Sequence, residues 1–175
     1  MSPDSTHAVV IREACPGVDD AAAAALMTEY LTWGNQRLRE EYGLEEVPSD
    51  PAKVGASLAA YRAPAGVLFL AEYGGRVVGI GALRRLGPDV AEVKRMYVSP
   101  PARALHAGSA LLDRLMASAR TWGVRLVRLD TARFMVEAHR LYHSRGFVER
   151  SPYEGSEIPV HLQRHWRFFE RSLRE

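Results

Sequence analysis

The sequence predicts an α/β fold: a mixed central sheet, antiparallel in its N-terminal strands and parallel around a later strand–helix–strand unit, flanked by helices. Three observations predict it. Strand-like and helix-like runs alternate along the chain. Three consecutive strand-like runs between Val67 and Val98 are separated by turn signals. Beyond Pro100-Pro101 the hydrophobic period switches from two to about 3.6.

Each element has its own signal. Ala8 to Glu13 (AVVIRE) reads as an opening strand, broken by Pro16-Gly17. Asp19 or Asp20 is placed to cap a helix whose apolar positions Val18, Ala22, Ala25, Leu26, Tyr30 and Trp33 recur at helical spacing. Ser49 or Asp50, with Pro51, opens a second helical stretch reaching Tyr61. Val67–Tyr73, Arg76–Leu86 and Val90–Val98 form an antiparallel meander, turned at Gly74-Gly75 and at Gly87-Pro88-Asp89. Gly108, Leu111, Leu112, Leu115, Met116, Ala119 and Trp122 mark one face of a long helix that Gly123 ends. Val124 to Asp130 (VRLVRLD) reads as a buried strand, Phe134 to Tyr142 as part of a helix, and Phe147-Val148 as a new strand. Trp166 to Leu173 reads as a last strand, with helix as the rival.

Composition narrows the class. The 175 residues fit one domain, 1–175, with no repeat or low-complexity linker. Hydrophobic residues make up 47% and charged residues 25%, as in soluble globular chains. No apolar run approaches the ~18 residues of a membrane span, and the polar start from Met1 to His7 does not resemble a secretory signal. Cys15 is the single cysteine, so an intramolecular disulfide is excluded and a cytoplasmic setting is expected. Beside Pro16-Gly17 it reads as packing or surface rather than as a nucleophile. The 23 basic and 21 acidic residues are interspersed, which argues against a nucleic-acid face. His139/His143 and His161/His165 sit four apart, but neither pair carries the adjacent glutamate of a zinc-hydrolase pattern. Solvated helix faces explain them better, and no metal is expected.

The turn from Met96 to Gly108 carries the first functional signal. It joins a strand to a helix, and a helix start exposes backbone N–H groups without internal partners and a partial positive charge. Phosphate oxygens suit such donors. Ala104, Ala107, Gly108 and Ser109 keep the approach open, and Arg103 adds a cation. A helix that packs closely on a sheet also begins with Gly and Ala, so the turn alone leaves both readings open.

The flanking residues extend the signal. The run from Arg103 to Gly108 resembles the pantetheine and pyrophosphate motif of the GNAT-type N-acetyltransferases: Arg or Gln, two residues, Gly, one residue, then Gly or Ala. YRAPAGVLFLAEYGGRVVGIGALRRL from Tyr61, AEVKRMYVSP from Ala91 and EAHRLYHSRGF from Glu137 look like members of that family, in order and at suitable spacing. The resemblance covers most of the chain after residue 60. It implies acetyl-CoA as cosubstrate, a small-molecule or peptide amine as acceptor, and leaves a homodimer open. It also implies cofactor contacts along Met96, Tyr97, Val98, Arg103, Ala104, Leu105, His106, Ala107, Gly108 and Ser109, and at His139. The backbone of Met96 and Val98 would pair with pantetheine and supply the oxyanion donor, which requires a kink in that strand.

Two departures stand out. His106 stands in a glycine's place, either reshaping the cofactor site or sitting in a helical turn with its side chain outward; the second reading is favoured here. Met135 stands where the family often has asparagine, so one cofactor contact is expected to be missing. For the chemistry, the resemblance implies Tyr142 as the acid that protonates the departing thiolate and Glu92 as the base that deprotonates the amine. The alternatives are core packing for Tyr142 and an ion pair with Arg84, Arg85 or Arg95 for Glu92. The expected function is N-acetylation of a primary amine by direct attack in a ternary complex. A CoA-binding module without turnover, or an enzyme for a longer acyl-CoA, is the alternative.

Overall fold

Seven strands form one sheet in the order β1-β2-β3-β4-β5-β7-β6 in the computed structural model, which describes residues 8–45, 50 and 53–174. The strands are β1 (Val10–Glu13), β2 (Gly66–Tyr73), β3 (Arg76–Arg85), β4 (Val90–Val98), β5 (Leu126–Ala132), β6 (Val148–Arg150) and β7 (Trp166–Ser172). All neighbours are antiparallel except β4 and β5. The helices are α1 (Asp20–Tyr42), α2 (Val54–Ser57), α3 (Ala107–Thr121) and α4 (Val136–Ser144). Among the described residues no helix is long and apolar enough to cross a membrane.

The apolar run of β2 is buried on both faces, as the continuous VLFLA pattern requires. Val67, Phe69 and Ala71 pack toward α3 with Leu111, Leu112 and Leu115, whereas Leu68 and Leu70 pack toward α1 with Met27 and Leu31. The α3 layer lies close to the sheet because Gly81 has no side chain. A Cβ there would stand 2.9 Å from Met96 Sδ and 3.1 Å from Leu115 Cδ1. Gly74 and Gly75 both take positive φ in the β2–β3 hairpin, as a type I′ turn demands.

Several boundaries differ from the sequence reading. Val18 precedes α1 and is 80% exposed, so it does not belong to the helix's buried stripe. Asp19 occupies the N-cap position, but its carboxylate turns to Arg12 and the Cys15 N–H instead of capping the helix. Ser49 and Pro51 lie outside the described residues; the second helix is the short α2, continued by a 3-10 turn at Leu58–Tyr61. β5 begins at Leu126 rather than Val124. The last element is a strand, because β7 is sandwiched between β5 and β6 and pairs with both.

Two breaks in the sheet create the site. β4 pairs with β5 only at Val90, Ala91 and Glu92; beyond that the two strands part. β4 also carries a bulge, since Lys94 to Tyr97 opposes only Ala82 to Ile80 on β3, and Arg95 takes φ +54° within it. The extra residue flips the alternation. Val93 faces α3, yet Tyr97 joins the opposite layer with Met27 and Leu31.

Candidate active site

The parted strands leave a cleft of about 480 Å³. Met96, Tyr97 and Val98 form its β4 wall, Ala138, Leu141 and Tyr142 its α4 wall, and Arg103 and Gly108 its rim at the start of α3. Tyr30 and Trp33 of α1 close the fourth side. The kink that the sequence reading required in β4 is therefore present, and it lies at the cleft.

Tyr142 is 5% exposed, and its ring packs 5.9 Å from Phe147 and 6.0 Å from Phe169. Both readings of this residue meet in one side chain. The ring is core, while among the described residues its hydroxyl has no hydrogen-bond partner and borders the cleft. Burial pushes the phenol well above its ordinary value, so it holds its proton throughout the neutral range.

At the rim, Pro100–Leu105 forms a 3-10 turn and α3 starts at Ala107. Between them His106 takes φ +57°. This overturns the helical reading of that position: the junction of two separate helical pieces needs a left-handed residue, and histidine supplies it at a cost of about 1 kcal/mol. Its side chain is exposed. The first internal α3 bond runs from the Ala110 N–H to the His106 carbonyl, leaving the N–H groups of Ala107, Gly108 and Ser109 without partners inside the helix. Ala107 is itself fully buried in the core; Ala104, Leu105, His106 and Ser109 lie outside the cleft lining.

His139 and Glu92 are placed elsewhere. His139 is 3% exposed, not on a solvated helix face, and its Nε2 lies 3.1 Å from the Ala132 carbonyl oxygen. Arg167 reaches its Nδ1 at 3.2 Å, and burial with that cation lowers its pKa. His139 lines none of the cavities around the cleft. Glu92 has no exposed surface and likewise lines none of them. Arg84 Nε donates to it at 2.6 Å, the Tyr153 hydroxyl donates at 2.8 Å, and Lys94 Nζ lies at 3.7 Å. The ion-pair reading with Arg84 thus describes its contacts. Burial pushes its carboxyl up against the pull of Lys94 and Arg84.

A smaller cavity of about 60 Å³, bordered by α1, shares Tyr30, Phe134 and Met135 with the cleft. It contains residues the sequence reading did not select: Lys94, Arg95, Asp130 and Glu157, with Asn35 and Thr131. Lys94 Nζ donates to Asp130 Oδ2 at 3.2 Å and lies 3.5 Å from Glu157 Oε2. Burial alone would lower the ammonium, but Asp130, Glu92 and Glu157 outweigh it and keep Lys94 charged. Asp130 also accepts from the Ser156 hydroxyl at 3.2 Å and lies 3.3 Å from the Tyr153 hydroxyl. A third pocket is bordered by Asp130, Arg95 and Tyr142 together, and shares Asp130 and Arg95 with this polar cavity and Tyr142 with the cleft. The available signal in the sequence was charge inside strands otherwise read as buried: Glu92 and Lys94 at i and i+2, and Asp130 in VRLVRLD.

The acetyltransferase (GNAT) family profile matches residues 23–147. A protein named IAA acetyltransferase from Azospirillum brasilense is 36% identical over 85 residues, 48% of this chain and 56% of that protein. An N-acetyltransferase of Schizosaccharomyces pombe is 34% identical over 101 residues, 57% of this chain and 62% of that protein. The chain thus spans little more than half the length of these curated relatives. In three dimensions it is similar to an acetyltransferase from Streptococcus agalactiae (TM-score 0.72, 22% identity, 94% of this chain and 98% of that one). It is also similar to a Salmonella typhimurium acetyltransferase solved with acetyl-CoA (TM-score 0.66, 20% identity, 96% and 95%).

Proposed function

The chain belongs to the acetyltransferase (GNAT) family, and from that premise we propose that it transfers an acetyl group from acetyl-CoA to a primary amine by direct attack in a ternary complex. The observation that carries this reading is the Tyr142 hydroxyl, unpartnered among the described residues, in the same cleft as the β4 bulge and the start of α3.

The residues present fit the cofactor. The unpaired β4 edge from Met96 to Val98 offers backbone groups to the pantetheine amides. The free N–H groups at the α3 start, with Arg103 beside them, suit the pyrophosphate. When bound, acetyl-CoA supplies the acetyl thioester. The backbone freed by the bulge donates toward its carbonyl oxygen, where negative charge grows during attack. Tyr142 gives a proton to the sulfur as the C–S bond breaks, and the second proton that the nitrogen sheds once the C–N bond has formed replaces it.

The acceptor arrives as an ammonium, with an ordinary pKa of ~10.4 for an alkylamine, and must lose a proton. Asp130 is the carboxylate that borders both the polar cavity and the pocket shared with Tyr142, so in this reading it receives that proton. Glu92 acts one step behind it as a positioning group, holding Tyr153 and Lys94, which in turn fix Asp130.

Acetyl-CoA-dependent thiol release measured against a panel of primary amines tests the reading. Turnover with at least one amine class is expected. Cofactor binding without turnover by any amine would instead mark the chain as a binding module.

A further inference from the structure

Arg95 sits where an arginine is expensive. It holds a left-handed backbone inside a strand, a conformation that costs a non-glycine residue about 1 kcal/mol or more. Its side chain is 13% exposed, and it borders both the polar cavity and the pocket that leads to Tyr142. Among the described residues, its Nε is a buried donor without a hydrogen-bond partner. Its guanidinium lies 3.8 Å from Glu157 Oε2, too long for a hydrogen bond.

The neighbouring charges are already satisfied. Lys94 is held by Asp130, Glu92 and Glu157, and Arg84 takes Glu92 and Glu157. Glu157 is therefore shared among Arg84, Lys94 and Arg95. Nε itself is sealed from the cavity; the terminal amines are what a ligand can reach, and among the described residues they form no hydrogen bond, Glu157 standing at 3.8 Å, so a ligand oxygen there would offset the cost of burying this cation. We propose that the acceptor carries a carboxylate, bound by Arg95 in this cavity, so that the substrates are amino acids or amines of like chemistry rather than simple alkylamines. Because Asp130 lies on the same cavity, the amine of such an acceptor faces a carboxylate while its own carboxylate faces Arg95. The inference rests on the acetyltransferase reading of the cleft and names the substrate class of that same site.

Paired probes test it: α-amino acids against their carboxamides, followed by thiol release with acetyl-CoA and by calorimetric binding to the protein alone. Wild type should prefer the carboxylate member of each pair by at least ~10-fold in kcat/KM, carried by KM, as expected for a lost charge-assisted contact. In Arg95→Asn, chosen because asparagine tolerates positive φ, that ratio should fall toward one. Arg95→Lys should recover part of it. Calorimetry should show the same preference without turnover. Equal use of acids and amides, or a ratio unchanged in Arg95→Asn, would overturn the inference and leave the acetyltransferase reading standing. Selective carboxylate binding without any turnover would leave Arg95 as a carboxylate site but overturn the acetyltransferase reading and, with it, the claim that the bound molecule is an acceptor. Neither binding nor turnover would overturn both.

Discussion

Arg103 Nε donates to the Val98 carbonyl oxygen at 3.1 Å, and the guanidinium lies over the rings of Trp33 and Tyr97, 5.4 and 5.9 Å from their centroids. Val98 lies on the β4 edge offered to pantetheine, so this arginine rests on an acceptor that the cofactor would use. Cofactor entry then requires Arg103 to leave Val98 and turn to the pyrophosphate. Titration with CoA should change the fluorescence of Trp33, with Trp33→Phe as the control because Trp122 and Trp166 also emit. Arg103→Ala should weaken CoA binding by ~1–3 kcal/mol, the value of a charge-assisted contact. Equal affinity in mutant and wild type would place the pyrophosphate elsewhere.

Tyr142→Phe isolates the hydroxyl from the ring. The phenylalanine keeps the contacts with Phe147 and Phe169, and no hydrogen bond within the described protein is lost. Stability should stay within ~0.5 kcal/mol. Turnover should fall by about 10²-fold, the usual scale of a general acid, with CoA affinity nearly intact. Unchanged kcat would remove Tyr142 from the proton path.

Much of this architecture was legible because it is local. The meander announced itself through Gly74-Gly75 and apolar runs, and α3 through Leu111, Leu112, Leu115 and Met116. The candidate site was legible only where a segment supplies its own geometry, as the α3 start and the α4 tyrosine proposed for it do. Arg95 was named only as a partner for Glu92 and not for the candidate site, because a bulge belongs to a pair of strands, and nothing in KRMYV alone reveals that β3 contributes one residue fewer. Asp130 was missed because Lys94 lies 36 positions earlier and meets it only after β4 and β5 become neighbours. Glu92 was visible as a carboxylate, but its burial depends on Arg84 and Tyr153 arriving from either side.

Gly108 offers a test in which folding and binding separate. A Cβ at this position would meet Leu141 Cδ2 at 3.7 Å and Val98 Cγ2 at 3.8 Å, ordinary van der Waals contacts. Within a helix alanine is also the better former, by about 1 kcal/mol. Gly108→Ala should therefore leave the melting temperature unchanged or raised. The motif that this run resembles takes Gly or Ala here, so the affinity for CoA should also survive Gly108→Ala, whereas Gly108→Leu carries a larger side chain onto the cleft rim beside the free N–H groups and should lower it. Unchanged affinity in Gly108→Leu would mean that the phosphates do not approach this part of α3.

Glu92 and Asp130 make opposed predictions. Glu92→Gln removes a buried negative charge from between Arg84 and Lys94, and should destabilise the fold by about 2–4 kcal/mol in denaturant titration. The acidic limb of its pH–rate profile should stay near the wild-type position. Asp130→Asn should lower kcat by ~10²-fold with CoA affinity nearly intact. The reverse pattern would return the base role to Glu92.

The Arg12–Asp19 pair links pH to stability at the entrance to α1. Both guanidinium amines donate to Asp19, at 2.7 and 2.9 Å, and the Cys15 N–H donates at 2.7 Å. These contacts, the Arg12 hydrogen bond first, hold the Asp19 carboxyl at about 2, below its ordinary 3.8. A depressed carboxyl contributes stability that is present above its unfolded value and is lost as pH falls through its folded value. The contribution is therefore complete above about pH 4 and fades toward pH 2. Asp19→Asn should cost about 1–2 kcal/mol at pH 7, measured by denaturant unfolding. The gap between variant and wild type should narrow as the same titration is repeated from pH 4 down to pH 2. A gap that stays constant across that range would show that the carboxylate's charge is not what joins β1 to α1.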